Sequence, residues 1–284
     1  GSEMCIRDSS HDSLKISNGK WMWWSQRIGG HNALDYLVKV RGVSFVEAVE
    51  TLMGKAAVMP TLTVRPKQEE KPKTLLLPEK SKTTDKIREY LFGRGIDAAI
   101  TDECIKKGVI FESLPYHNIV FVGFDEKQKP KYAAFRATNS RRILGDCSGS
   151  DKHYSFRLAD SASSEVHLFE CAIDLLSYAT LSKLSGRNWR QENLVSLAGI
   201  YLPKEKIEDS TTPAALVRYL EEKPHIRQIH IHFDNDNAGR KATQALKVIL
   251  PKRYEVFDEP PKKGKDYNDY LCIQLGIYKS KERS

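Results

Sequence analysis

The chain has 284 residues, 40% of them apolar, with 45 Lys and Arg against 37 Asp and Glu for a formal charge of +8. That length suits two compact domains with a small third unit, and no apolar run approaches the roughly 20 residues of a membrane-spanning helix. The positive balance favours an anionic partner, nucleic acid being the commonest. Cys5, Cys104, Cys147, Cys171 and Cys272 are scattered, with no two at metal-ligand spacing. They argue against zinc held by cysteine pairs and for free thiols in a reducing cytoplasm.

Residues 1–9, "GSEMCIRDS", lack periodicity and read as a tag or sequencing artefact outside the fold. Residues 10–54 are aromatic-rich and end in an amphipathic helix, "SFVEAVETLMG", with Ser44 as N-cap and Glu47 completing a capping box. Alternation along "WMWW" puts Trp21 and Trp23 on one face of a strand and Trp24 on the other. Residues 55–82 are rich in Pro and Lys with little periodicity, and read as an interdomain linker.

From residue 83 to residue 278 strand and helix signals alternate. "TTDKIREYLFGRGI" predicts a capped helix closing at Gly93 or Gly95, and "HNIVFVGFD" and "KPKYAAFRAT" predict a hairpin around "EKQK". The strand "VHLFE" then leads into the helix "CAIDLLSYATLSKL". After it come "NLVSLAG", the helix "PAALVRYLEEK", the strand "QIHIHFD", the helix "AGRKATQALKVIL" and the strand "RYEVFD". Strands spaced by helices mean βαβ units and a mostly parallel sheet.

Carboxylates gather where these strands end. Glu170 closes "VHLFE", with Asp174 in the next helix. Asp234 and Asp236 close "QIHIHFD", and Asp266 and Asp269 follow the last strand. A single acid at a helix start is ordinarily a cap or a dipole partner. Two neighbouring carboxylates repel unless a cation sits between them. Three such clusters at successive strand ends of one sheet suit a hard divalent cation, Mg²⁺ or Mn²⁺, held by oxygens with positions open for phosphate.

"FECAIDLL", "DNDNAG" and "GKDYNDYL" resemble the signature segments of the TOPRIM domain of primases, topoisomerases and some nucleases. Cys171 departs from the family's usual glycine, and Asn268 stands where many primases carry an acid. Upstream, "REYLFGRGIDAAITDECIKKGVIFES", "HNIVFVGFDEKQKPKYAAFRAT" and "GSDKHYSF" are similar to primase segments. "GGHNALDYL" and "SFVEAVETL" are similar to the zinc ribbon that begins replicative primases. Aligned on "HNALDYL", the ribbon's cysteine pair falls at Trp24 and Arg27, leaving His11 and His31 as candidate ligands, too few for tetrahedral zinc. The ribbon reads as degenerate. Trp21, Trp23 and Trp24 serve either as packing in place of metal or as a stacking surface for single-stranded DNA, worth about 1–3 kcal/mol per base.

The resemblance implies an α/β TOPRIM domain, Rossmann-like with a mostly parallel sheet, over residues 161–278. It implies an α+β primase-like subdomain over 83–160 and a zinc-ribbon-like unit without zinc ligands over 10–54. It further implies template-directed primer synthesis on single-stranded DNA for a mobile element or plasmid, from NTPs, with a relaxase or helicase of the same element as partner. Glu170, Asp234 and Asp236 would be catalytic, and Glu170, Asp174, Asp234, Asp236 and Asp266 would hold Mg²⁺ or Mn²⁺, with no zinc. Arg94, Lys131, Arg136, Lys152 and Lys265 would meet template or triphosphate. A metal-dependent nuclease and a non-catalytic DNA-binding accessory to a relaxase are the alternatives.

Overall fold

The structure is a computed structural model. It describes residues 4–5, 14–17, 20–23, 28–44, 47–48, 51–52, 74–141, 143–158, 161–199 and 201–277. The chain divides into two compact units, residues 1–70 and 71–284.

In the first unit, β1 (Met4–Cys5), β2 (Leu14–Ser17), β3 (Lys20–Trp23) and β4 (Ile28–Gly30) form an antiparallel sheet in that order. Met4 pairs with Ile16 and Cys5 with Lys15, so part of the stretch read as an artefact adds a strand. Helix α1 (Ala33–Lys39) is capped by Asn32, whose side chain accepts from the Asp35 N–H at 2.7 Å. Leu14, Trp21 and Val40 are buried together, with Trp23, Ile28 and Tyr36 packed against them. Trp21 meets Tyr36 edge-on at 5.9 Å, which is the packing role weighed for the tryptophans. Trp24, Arg27 and His11 lie outside the described residues. Further on, the Ser44 N–H donates to Glu47 Oε2 at 2.9 Å and the Glu47 N–H to Ser44 Oγ at 3.3 Å, the reciprocal capping box the sequence predicts.

The second unit starts as an extended strap. The Leu76 N–H donates to Ser148 O, the Leu114 N–H to Glu79 O, and Lys80 bridges Ser113. Leu75 packs on the apolar group of Phe111, Val120, Val122 and Ala133. Residues 74–80, expected within the linker, therefore cover one face of a sheet. That sheet is the antiparallel meander β5 (Ile110–Glu112), β6 (Ile119–Phe124), β7 (Pro130–Arg136) and β8 (Leu144–Asp146). Helices α2 (Asp85–Gly93) and α3 (Ala98–Lys106) precede it.

The following strands are β9 (Arg157–Leu158), β10 (Glu165–Phe169), β11 (Leu194–Ser196), β12 (Gln228–Ile231) and β13 (Glu255–Asp258). They form one sheet in the order β13-β12-β10-β11-β9. Its pairings are parallel except for β9, an antiparallel edge strand that the sequence reading left in the preceding subdomain. The helices are α4 (Ala172–Leu184), α5 (Ala214–Glu222), α6 (Asn237–Ile249) and α7 (Tyr267–Gln274).

Period-two alternation sorts the side chains onto two faces. Val166, Leu168, Ile229 and Ile231 pack with residues of α5 and α6 in one core. Phe169 and Leu194 face the other way, into a core that also holds Ile87, Leu91, Phe121, Phe156, Leu175 and Leu271. This second core joins the meander and the parallel sheet, and so fixes the basic hairpin relative to the strand ends. Among the described residues no helix is long and apolar enough to cross a membrane.

Candidate active site

Each acidic segment is a strand-to-helix turn at the carboxyl end of the parallel sheet, where a doubly wound fold places its ligands. After β10, Cys171 adopts an extended cap conformation and α4 begins at Ala172, which keeps Glu170 at the strand mouth, 7% exposed. After β12, Asp236 caps α6 by accepting from the Gly239 N–H at 2.9 Å. A Cβ on Gly239 would stand 2.2 Å from Asp234 O, so only glycine lets the helix start this close to the strand end. After β13, Asp266 caps α7 through the Asp269 N–H at 2.6 Å.

These turns meet in one cleft. The Asp234 N–H donates to Glu170 Oε1 at 3.1 Å. Lys265 Nζ lies 3.4 Å from Asp234 Oδ2 and 3.1 Å from Asp236 Oδ2. The Asn235 N–H donates to Lys265 O at 2.6 Å, tying the β12 turn to the loop before α7. Asp236 thus fills both roles weighed in the sequence: one oxygen caps a helix and the other faces a cation.

The charges are unbalanced. Burial, with Asp234 and Asp236 nearby, pushes the Glu170 carboxyl up to about 7. Burial and Asp266 raise Asp234. The Gly239 amide holds Asp236 below the ordinary range, and Asp236 in turn raises Lys265. Even with one ammonium present, the cleft is short of positive charge.

Asp174 sits deeper. Its Oδ2 accepts from Cys171 Sγ at 2.9 Å and its Oδ1 from the Asn268 N–H at 3.3 Å. Burial and Asp266 push it up to about 7. Asn268 is 1% exposed and gives its amide hydrogens to Arg94 O at 2.9 Å and Ser177 Oγ at 3.0 Å. Sequence reasoning took Asn268 and Cys171 as departures from a pattern. Their contacts make them the brace behind Asp174, and nothing local to their segments signals it. Arg240 was not singled out either; it reaches back from α6 to Asp234 O at 3.3 Å and pairs with Asp258.

The basic residues divide. Lys265 is in the cleft. Lys152 Nζ donates to Ala198 O at 3.1 Å and pairs with Asp146, and the next residue, Gly199, donates its N–H to Glu170 O. Arg136 lines an apolar cavity with Phe121, Tyr132, Phe156, Ala198 and Cys171, the last of which follows Glu170 in sequence. Arg94 is taken up by Asn268 Oδ1 at 2.9 Å and by the Tyr90 ring, and Lys131 pairs with Asp125 at 3.8 Å. Among the described residues, neither Arg94 nor Lys131 pairs with a carboxylate of the cleft.

The comparisons with known proteins bear on the same segments. Residues 167–271 match the Toprim-like family, and residues 89–162 match a protein family of unknown function, DUF3991. The second unit therefore carries a Toprim-like domain with a mostly parallel sheet. An uncharacterized protein of Bacillus anthracis, pXO2-78, is 26% identical over 280 residues, covering 90% of this chain and 74% of its own length. The primase fragment of the bacteriophage T7 primase-helicase protein is 17% identical with a TM-score of 0.47, covering 96% of this chain and 93% of the fragment. The Aquifex aeolicus primase, in its zinc-binding and RNA polymerase domains, is 14% identical with a TM-score of 0.41, covering 93% and 73%.

Proposed function

We propose that the chain is a metal-dependent, primase-like nucleotidyltransferase that makes short primers on single-stranded DNA. The observation that carries this reading is the cleft of Glu170, Asp234 and Asp236 around the Lys265 ammonium. Lys265 marks where a cation is shared by two carboxylates, and burial with carboxylate neighbours raises Glu170 and Asp234, a cost that a second cation would offset. An all-oxygen donor set of this kind suits Mg²⁺ or Mn²⁺. Asp234, Asp236 and Glu170 would hold the ion, with Asp266 beside them. When bound, the ion supplies Lewis-acid neutralisation of a triphosphate.

The chain's own groups account for the rest. Phosphodiester formation joins the 3′-oxygen of the growing strand to the α-phosphorus of an incoming nucleotide, and pyrophosphate leaves. Glu170, at the mouth of β10, accepts the 3′-hydroxyl proton as general base. Lys265, more than half exposed on its side chain, swings from the aspartates to the triphosphate. Arg136 and Lys152 border the cleft from the meander side and offset the template's phosphates. Asp174 holds the first turn of α4 from behind. Arg94, also buttressing, and Lys131 complete the basic set on the same unit. A relaxase or helicase of the same mobile element is the proposed partner, and the cytoplasm the proposed compartment.

Purified chain, single-stranded DNA, labelled NTPs and Mn²⁺ test the reading. Short labelled oligonucleotides that need both template and NTPs are expected from the wild type and none from Asp234→Ala, which keeps its fold. Strand cleavage without NTP incorporation would assign the cleft to a nuclease instead. Template binding indifferent to Asp234, with neither product, would assign an accessory role.

A further inference from the structure

Behind the acidic cleft, three imidazoles lie on one face of the parallel sheet. His167 on β10 is the register partner of His230 on β12, and His232 follows two residues later on the same face. His167 and His232 are 6% and 2% exposed. Positions buried in a parallel sheet ordinarily carry Val, Ile or Leu, as the opposite face of these strands does. Three neighbouring histidines there need a physical reason.

We propose that His167, His232 and Glu259 form a second metal site, for a borderline divalent cation such as Zn²⁺ or Co²⁺. A donor atom from each of the three lies within 4.8 Å of the others. His167 Nδ1 is 2.8 Å from His232 Nε2, and that nitrogen is 3.6 Å from Glu259 Oε2. His230 stands alongside, its Nδ1 3.2 Å from Glu259 Oε1. Two imidazole nitrogens and one carboxylate select Zn²⁺ or Co²⁺ over Mg²⁺, unlike the all-oxygen cleft.

The hydrogen bonds around these rings are compatible with an ion. His232 Nδ1 faces Tyr267 Oη at 2.8 Å and Glu259 O at 3.1 Å. The Tyr267 hydroxyl stands 2.9 Å from Glu259 O, and when it donates there its oxygen accepts from a His232 hydrogen on Nδ1. Nε2 then carries a lone pair. In that tautomer and without an ion, His167 fills the lone pair from its own Nδ1–H, beside Tyr178 Oη at 3.3 Å, and its bare Nε2 faces Glu192 Oε2 4.0 Å away. That Glu192 oxygen is buried with no hydrogen-bond partner among the described residues, while Ser182 holds the other oxygen at 2.8 Å. With an ion between the two rings, the His167 hydrogen moves to Nε2 and points at Glu192. His232 then keeps acceptors on its far nitrogen, as metal-bound histidines ordinarily do, and His167 turns its own toward Glu192, 4.0 Å away. Arg187, 3.8 Å from Glu192, is half exposed and neutralised by it.

The consequence is mechanical. Glu259 follows β13 and His232 lies two residues before Asp234, so an ion here clamps the β13 loop to the strand end that presents the acidic cleft. Glu259, 44% exposed on its side chain, gives the ion its route from solvent.

Co²⁺ titration of the full chain, followed by visible absorption, tests the site. One Co²⁺ per chain with the intense bands of a four- or five-coordinate nitrogen-oxygen site is expected. Glu259→Gln and His167→Gln should lose the bands, Glu192→Gln should weaken binding by about 10–100-fold, and Asp234→Asn with Asp236→Asn should keep them. Because His167→Gln removes a buried ring, Zn²⁺-induced stabilisation of the wild type but not of Glu259→Gln is the second readout. Absence of the bands in the wild type, their survival in Glu259→Gln, or their loss in the aspartate pair would overturn the proposal.

Discussion

At the scale of single residues, the acidic cleft works through a division of oxygens. Asp236 gives one to the Gly239 amide and one to Lys265, whereas Glu170 keeps its charge suppressed by burial and by Asp234 and Asp236. A carboxyl whose folded pKa is raised stabilises fully below its unfolded value, near 4.5, and that contribution is lost as pH rises through about 7. In metal-free buffer, Glu170→Gln should therefore gain ~3 kcal/mol on the wild type between about pH 4 and pH 8, read by urea unfolding at each pH. Saturating Mn²⁺ should cancel that gain. Asn268→Ala should lose about 1–3 kcal/mol, since it strips partners from Arg94 O, Ser177 Oγ and the Arg94 guanidinium. The Asp-x-Asp pair was legible because its two charges are one residue apart in sequence. The brace was not: Asn268 meets Asp174 and Arg94 across 94 and 174 residues, and no local pattern encodes that.

At the scale of elements, the long strands and helices of the parallel sheet were legible from periodicity. "VHLFE", "QIHIHFD" and "AGRKATQALKVIL" became β10, β12 and α6 because each buries a face in one shared core. Short pieces were not. Strand β9 is two residues, and the strap over residues 74–80 has no alternation; both owe their conformation to backbone pairing with distant partners. The histidines of β10 and β12 were read as strand residues, since metal geometry depends on register between strands. Gly239→Ala tests the tightest joint between elements. Its Cβ would collide with the Asp234 carbonyl, so a loss of about 1–3 kcal/mol is expected by overpacking. Primer synthesis should fall further than that loss explains, because Asp234 itself is displaced. In the first unit, Ser44→Ala should cost about 1 kcal/mol by breaking the capping box, measured as a shift in the thermal midpoint.

At the scale of the molecule, a chain of net charge +8 gathers Glu170, Asp234, Asp236 and Asp266 in one cleft. Arg136 on β7 lines a cavity with Cys171, Lys152 donates to Ala198 O, and the parallel sheet brings together acids from three separate turns. Such a cleft is poorly balanced by a single lysine, and the account rests on a divalent cation completing it. Mn²⁺ titration of the full chain by electron paramagnetic resonance measures this directly, since bound ion drops out of the aqueous signal. The wild type should take up Mn²⁺, and Asp234→Asn with Asp236→Asn should bind it at least ~10-fold more weakly, by the loss of two charged oxygen ligands. Equal uptake by the two proteins would contradict the account.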